Sequence, residues 1–75
     1  MDPQKRDEIW AGQEVDIILK KDQPTGKLTH GFVAEILTSS PHHPRGIKVR
    51  LTDGGVGRVF KIYDKNDDDE IEKDL

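Results

Sequence analysis

The 75-residue sequence contains no cysteine. It therefore has no disulfide staple, thiolate zinc site, iron–sulfur cluster or thiol nucleophile. Aromatic residues are scarce: Trp10, Phe32, Phe60 and Tyr63 are the whole set. Apolar residues make up only 32% of the chain and are interrupted by charge throughout, so no run approaches the length needed to cross a bilayer. Met1 to Glu8 lacks the apolar stretch of a secretory signal. These absences lead to the expectation of a soluble cytoplasmic protein without a membrane partner. A domain this small buries roughly 60% of its unfolded surface, which leaves little room for a deep catalytic cleft.

What is present is charge, unevenly placed. The formal net charge is −3. Residues 64–75 hold seven acids against two bases, a balance of −5, which leaves ten bases and eight acids, +2, on residues 1–63. Of the 24 apolar residues, 20 lie between Ile9 and Ile62. Dense like charge with few apolar anchors predicts a disordered acidic tail over 64–75, either a solubiliser or a competitor for the basic face of the folded unit. Residues 9–63 are then the folded domain. Residues 1–8 are an N-terminal segment in which Asp2 and Pro3 provide a cap and first turn for one or two helical turns.

The rest of the chain reads as strands. Val15, Ile17 and Leu19 alternate with Asp16 and Lys20, the pattern of a half-buried strand. Asp22-Gln23-Pro24-Thr25-Gly26 is a turn. Lys27 to Thr38 is a longer strand with apolar residues of both parities, which predicts a bend or bulge, with Gly31 as the residue that permits it and Phe32 in the core. Two prolines make Thr38 to Arg45 a loop, and His43 is expected to organise it by a ring hydrogen bond to backbone. In Gly46 to Thr52, Ile47, Val49 and Leu51 take one face while Lys48 and Arg50 take the other. Asp53-Gly54 signals a two-residue primed hairpin turn. In the return strand, Gly55 to Ile62, a bulge at Gly57 is expected to turn Arg58 to water and Val59 inward. Four to five short antiparallel strands with so small an apolar set predict an all-β fold, a small, partly open barrel.

The series Ile9-x-x-Gly12-x-x-Val15-x-Ile17, Thr29-x-Gly31-x-Val33-x-x-Ile36 and Ile47-Lys48-Val49-x-Leu51-x-Asp53-Gly54-x-x-Gly57-x-Val59 resembles SH3-like barrels of the KOW and Tudor kind. Val15 to Lys27 and His43 to Leu51 look more closely like the YwbE-type family of small bacterial proteins, over residues 9–62. The closer resemblance brings no activity with it. The broader one implies a binding module for RNA, ribosomal components or peptides, an analogy of fold alone.

Lys48 and Arg50 on one strand face and Arg58 on its hairpin partner are the candidate phosphate contacts, extended by Arg45, Lys20, Lys21 and Lys27. The expected partner class is RNA or a ribonucleoprotein. The alternative is a protein partner held at a strand edge or the 39–45 loop, with Trp10 or Phe60 as anchor. His30, His42 and His43 lack the companions of a tetrahedral metal set, and the acidic run from Asp64 to Glu70 lacks the glycine and terminal glutamate of a calcium loop, so no metal or cofactor is expected. Ser39, Ser40 and the histidines come without a nucleophile elbow or oxyanion motif, and the glycines around Gly54 form no phosphate loop. The reading is of a monomer that is not an enzyme.

Overall fold

The computed structural model of the chain describes residues 2–63. The tail expected to be disordered over 64–75, with its calcium-loop fragment, lies outside the described residues. Four strands, β1 (Glu14–Leu19), β2 (Thr29–Ile36), β3 (Lys48–Leu51) and β4 (Val56–Ile62), run antiparallel in chain order. Because β1 pairs with β4 as well as with β2, the sheet returns on itself and closes as a barrel. Closure removes the exposed sheet edges that a four-stranded sheet would otherwise present. No helix among the described residues is long and apolar enough to cross a membrane.

The core is the inward half of each alternating pattern: Val15 and Ile17, Val33, Ile47, Val49 and Leu51, Val59 and Ile62, with Ile9 added from the N-terminal segment. Leu19 and Ile36 pack against its margin. The mixed parity of β2 has the predicted cause at a different residue. The β2–β3 register slips between Val33 and Glu35, so Ala34 rather than Gly31 is the extra residue. Val33 and Ile36 both turn inward as a result, and Phe32 points outward, 47% exposed, instead of joining the core.

The β3–β4 hairpin also differs from its sequence signal. The Leu51 N–H donates to the Gly55 carbonyl and the Gly54 N–H to the Leu51 carbonyl, closing a three-residue loop over Thr52, Asp53 and Gly54. A two-residue primed turn of the Asp-Gly kind needs positive φ at both residues. Only Gly54, at +96°, supplies it, and Asp53 instead accepts from the Gly55 N–H through its side chain.

No bulge occurs at Gly57. Gly57 pairs regularly with both Val49 and Leu19, and β4 alternates with Gly57 and Val59 inward and Val56 and Arg58 outward. Glycine is needed there because β1 crosses so closely that a Cβ would stand 2.4 Å from the Ile18 carbonyl oxygen. The irregularity falls further along. Asp16 is opposite Lys61 and Ile17 is opposite Val59, so Phe60 is left without a residue facing it.

The N-terminal segment forms a single 3-10 turn at Arg6–Glu8, with Asp2 accepting from the Gln4 N–H. Its larger role is as a strap. Pro3, Gln4 and Arg6 exchange backbone hydrogen bonds with Ile47, His43 and Pro41, and the Gln4 amide donates to the Pro44 carbonyl. The 41–47 loop is thereby held against the barrel, and the position of Arg45 with it.

Candidate nucleic-acid interface

Two strands, a 3-10 turn and a loop bring cations to one side of the barrel. Outward alternation places Lys48 on β3 and Arg58 on β4, and the register sets these two directly opposite each other. The 3-10 turn Lys20–Asp22 follows β1 and brings Lys20 and Gln23 beside them, around a cavity of about 390 Å³ that Val56 and Gly57 also line. A second cavity of about 270 Å³ adjoins it, lined by Ile18, Gln23, Arg58 and Arg45. Arg45 is presented by a tight turn in which the His43 ring Nδ1 accepts from the Arg45 N–H at 3.1 Å and the Gly46 N–H donates to the His43 carbonyl. The ring hydrogen bond expected of His43 is therefore present.

Among the described residues no carboxylate lies within ion-pair distance of Lys20, Arg45, Lys48 or Arg58. Arg58 makes one long contact, 3.4 Å, to the Gly46 carbonyl. The field of this cluster registers at His43, whose imidazole is held below its ordinary value by burial and then by the charges of Arg58, Arg45 and His42. Directly opposed like charges destabilise a sheet, so the Lys48–Arg58 pair contributes nothing to the fold that would account for it.

The other sequence candidates do not join the cluster. Arg50 shares the outer face of β3 but is drawn toward β2, where its guanidinium pairs with Glu35. Lys21 and Lys27 are exposed and line neither cavity. Trp10 is half exposed ahead of β1 and also stands outside the groove, while Phe60 borders a third cavity that includes Arg45. The histidines are dispersed, with His42 bridging to Lys5 in the strap and His30 on β2. Among the described residues no group of three His, Asp or Glu side chains is placed to hold a metal ion.

A second polar cluster lies on the β1–β2 side, which the sequence reading did not single out. His30 sits between two β1 carboxylates, with Nε2 2.8 Å from Glu14 and Nδ1 3.0 Å from Asp16. The Tyr63 hydroxyl donates to the other Asp16 oxygen at 2.8 Å, its ring stands edge-on to His30, and the Lys61 ammonium lies over the Tyr63 ring. Asp16 is only 11% exposed in its side chain, and its hydrogen bond raises His30 above the ordinary imidazole value, aided by the charge of Glu14. The hydrogen bond from its own hydroxyl to Asp16, together with burial, raises the Tyr63 phenol. The available signal was the hairpin register: Asp16 and His30 are opposite each other once β1 and β2 are paired about the 20–28 loop.

The groove and, apart from Tyr63, the polar cluster lie within residues 2–62, the span matched by a family model. A curated protein of Bacillus subtilis (strain 168), "Uncharacterized protein YwbE", is 60% identical over 62 residues, covering 83% of this chain and 95% of its own length. No solved structure matches. The family model described as "Uncharacterized conserved protein (DUF2196)" matches residues 2–62, from the strap that holds Arg45 to the last core residue of β4. The chain belongs to that YwbE-like family, whose residues here fold as a closed four-stranded SH3-like barrel.

Proposed function

We propose that the protein is a noncatalytic binding module that takes the phosphate backbone of RNA, free or in a ribonucleoprotein, in the groove between Lys20, Lys48, Arg58 and Arg45. One observation carries the reading: four cations surround two adjoining cavities without a carboxylate partner among the described residues, whereas Arg50 on the same strand is paired. Cations without a carboxylate partner among the described residues, two of them directly opposed, are suited to bind an anion. Each phosphate they neutralise releases condensed counterions, so affinity falls as salt rises. Among polyanions, RNA is favoured by the resemblance to KOW- and Tudor-type barrels.

The test is a titration of the full chain with structured RNA at several salt concentrations. Binding whose logarithm falls linearly with log salt, with a slope reduced by about one in Arg58→Gln, supports the reading. Salt-independent binding removes it. A protein partner is the second reading, favoured by the exposure of Trp10 and Phe60, 50% and 58%. It predicts capture that resists nuclease and salt and is lost in Trp10→Ala but kept in Lys48→Gln.

A further inference from the structure

The cationic groove does not end at Arg45. Its two cavities share Gln23 and Arg58, and the second shares Arg45 with a third cavity of about 400 Å³, lined by Pro3, Gln4, Pro44, Gly46, Val59 and Phe60 besides Arg45. Along this path the chemistry changes. The first cavity has three cations and no ring, the second has two, and the third has one cation beside two prolines and a phenyl ring.

Phe60 is not placed there by the core. Val59 and Ile62 are buried three residues apart, and the register slip against β1 leaves one residue with nothing opposite it. A polar residue would satisfy that position without exposing apolar surface. The residue present is a phenylalanine, 58% exposed, more than Trp10, Phe32, Leu28 or Leu37.

We infer that the three cavities form one track for a single-stranded polynucleotide, with phosphates held at Lys48, Arg58 and Arg45 and an unstacked base seated on the ring of Phe60. The inference rests on the nucleic-acid reading above and narrows it from any phosphate backbone to a strand whose bases are free. In a duplex the base faces are already stacked inside, and a ring at the end of a cationic groove meets only sugar and phosphate. In a single strand the base face is available, and aromatic stacking adds affinity without reading sequence. The strap orders this end of the track, because the same Pro3 and Gln4 that line the third cavity hold the loop carrying Pro44 and Arg45.

Fluorescence anisotropy of the full chain against three labelled probes of about ten nucleotides tests this: a uridine strand, a duplex, and an abasic ribose-phosphate strand. The variants are Phe60→Ala, Phe60→Trp and Arg58→Gln, each checked for an unchanged melting transition. The uridine strand should bind tightest, and Phe60→Ala should weaken it roughly tenfold while leaving the duplex and abasic probes unchanged. Phe60→Trp should restore the affinity. The salt slope should be unchanged in Phe60→Ala, which removes no phosphate contact, and lower in Arg58→Gln. Equal affinity for the uridine and abasic strands, or an equal loss on all three probes in Phe60→Ala, overturns the track and leaves the phosphate reading standing. Absence of salt-dependent binding to every probe overturns both.

Discussion

On the β1–β2 side of the barrel Glu14, Asp16, His30 and Tyr63 form a closed set, each polar group satisfied by another, with Lys61 over the Tyr63 ring. On the β3–β4 side Lys20, Arg45, Lys48 and Arg58 surround open cavities, and two of them oppose each other across the ladder. The same four strands support both. The first face uses its charge to join β1, β2 and the end of β4, and on the second no carboxylate among the described residues pairs with the four cations. Partner-satisfied charge serves stability, and the surface proposed for recognition is the one whose cations lack a carboxylate partner among the described residues.

The largest way to break this division is to remove the strand that both faces share. Gly57→Val would drive a side chain into the Ile18 carbonyl, which stands 2.4 Å from the position of a Cβ. Backbone cannot yield there without opening the β1–β4 seam that closes the barrel, so a loss on the order of 3 kcal/mol is expected in denaturant unfolding. Gly54→Ala, a positive-φ site with open space around it, should cost less, about 1 kcal/mol. Equal stability of Gly57→Val and wild type would mean that the seam is not tight.

Next in size is the polar cluster. Asp16→Ala removes the acceptor shared by His30 and Tyr63 and leaves the Tyr63 hydroxyl to find water, which should lower stability by about 1–2 kcal/mol. Nucleic-acid affinity should not change, because Asp16 lines none of the cationic cavities. Lys48→Gln should do the reverse. Relief of the opposed pair with Arg58 should leave the melting transition where it is or raise stability by a few tenths of a kcal/mol, on the order expected for cross-strand pairs. Its salt slope on a single strand should fall by about 0.7. If Lys48→Gln destabilised the barrel as much as Asp16→Ala, the contrast between the two faces would fail.

These two variants also mark the boundary of what the sequence made legible. Alternation alone places Lys48 outward and Ile47, Val49 and Leu51 inward, because a strand's faces follow from a period of two, but it reached an outward Arg58 only by way of a bulge at Gly57 that β4 does not contain. It could not separate Arg50 from Lys48, although both lie on the same outward face. Their separation depends on the extra residue at Ala34, which sets Glu35 opposite Arg50. The same irregularity turned Phe32 outward. Lys20 joins the groove through a 3-10 turn that no cap or period announces, while Lys21 beside it does not. The His30 cluster was hidden for a related reason: His30 and Asp16 are 14 positions apart, and only the hairpin register makes them neighbours. Local pattern thus reads each strand's faces, and pairing between strands decides which charges meet.

The smallest expected effects are two opposite pH responses. His30, facing Glu14 and Asp16 from β1 and the Tyr63 ring just beyond the end of β4, has its folded pKa raised by the Asp16 hydrogen bond. Its contribution to stability is fully present below the unfolded value, about pH 6.5, and is lost as pH rises through the folded value. The melting temperature of wild type should therefore exceed that of His30→Gln most near pH 6, and the gap should narrow as pH rises. His43, facing Arg45, Arg58 and His42, has its folded pKa lowered by burial and by those cations. Protonating it costs stability as pH falls through about 6.5, and it also converts the ring nitrogen that accepts from the Arg45 N–H into a donor. His43→Gln should gain on wild type toward acid pH. A bound polyanion should reduce that gain, because phosphate beside Arg45 and Arg58 offsets the field that keeps His43 neutral, while the gap at His30 should stay as it was. Melting curves with and without a single strand separate the outcomes. A ligand that moved both histidines equally would place its contacts on both faces and erase the distinction between them.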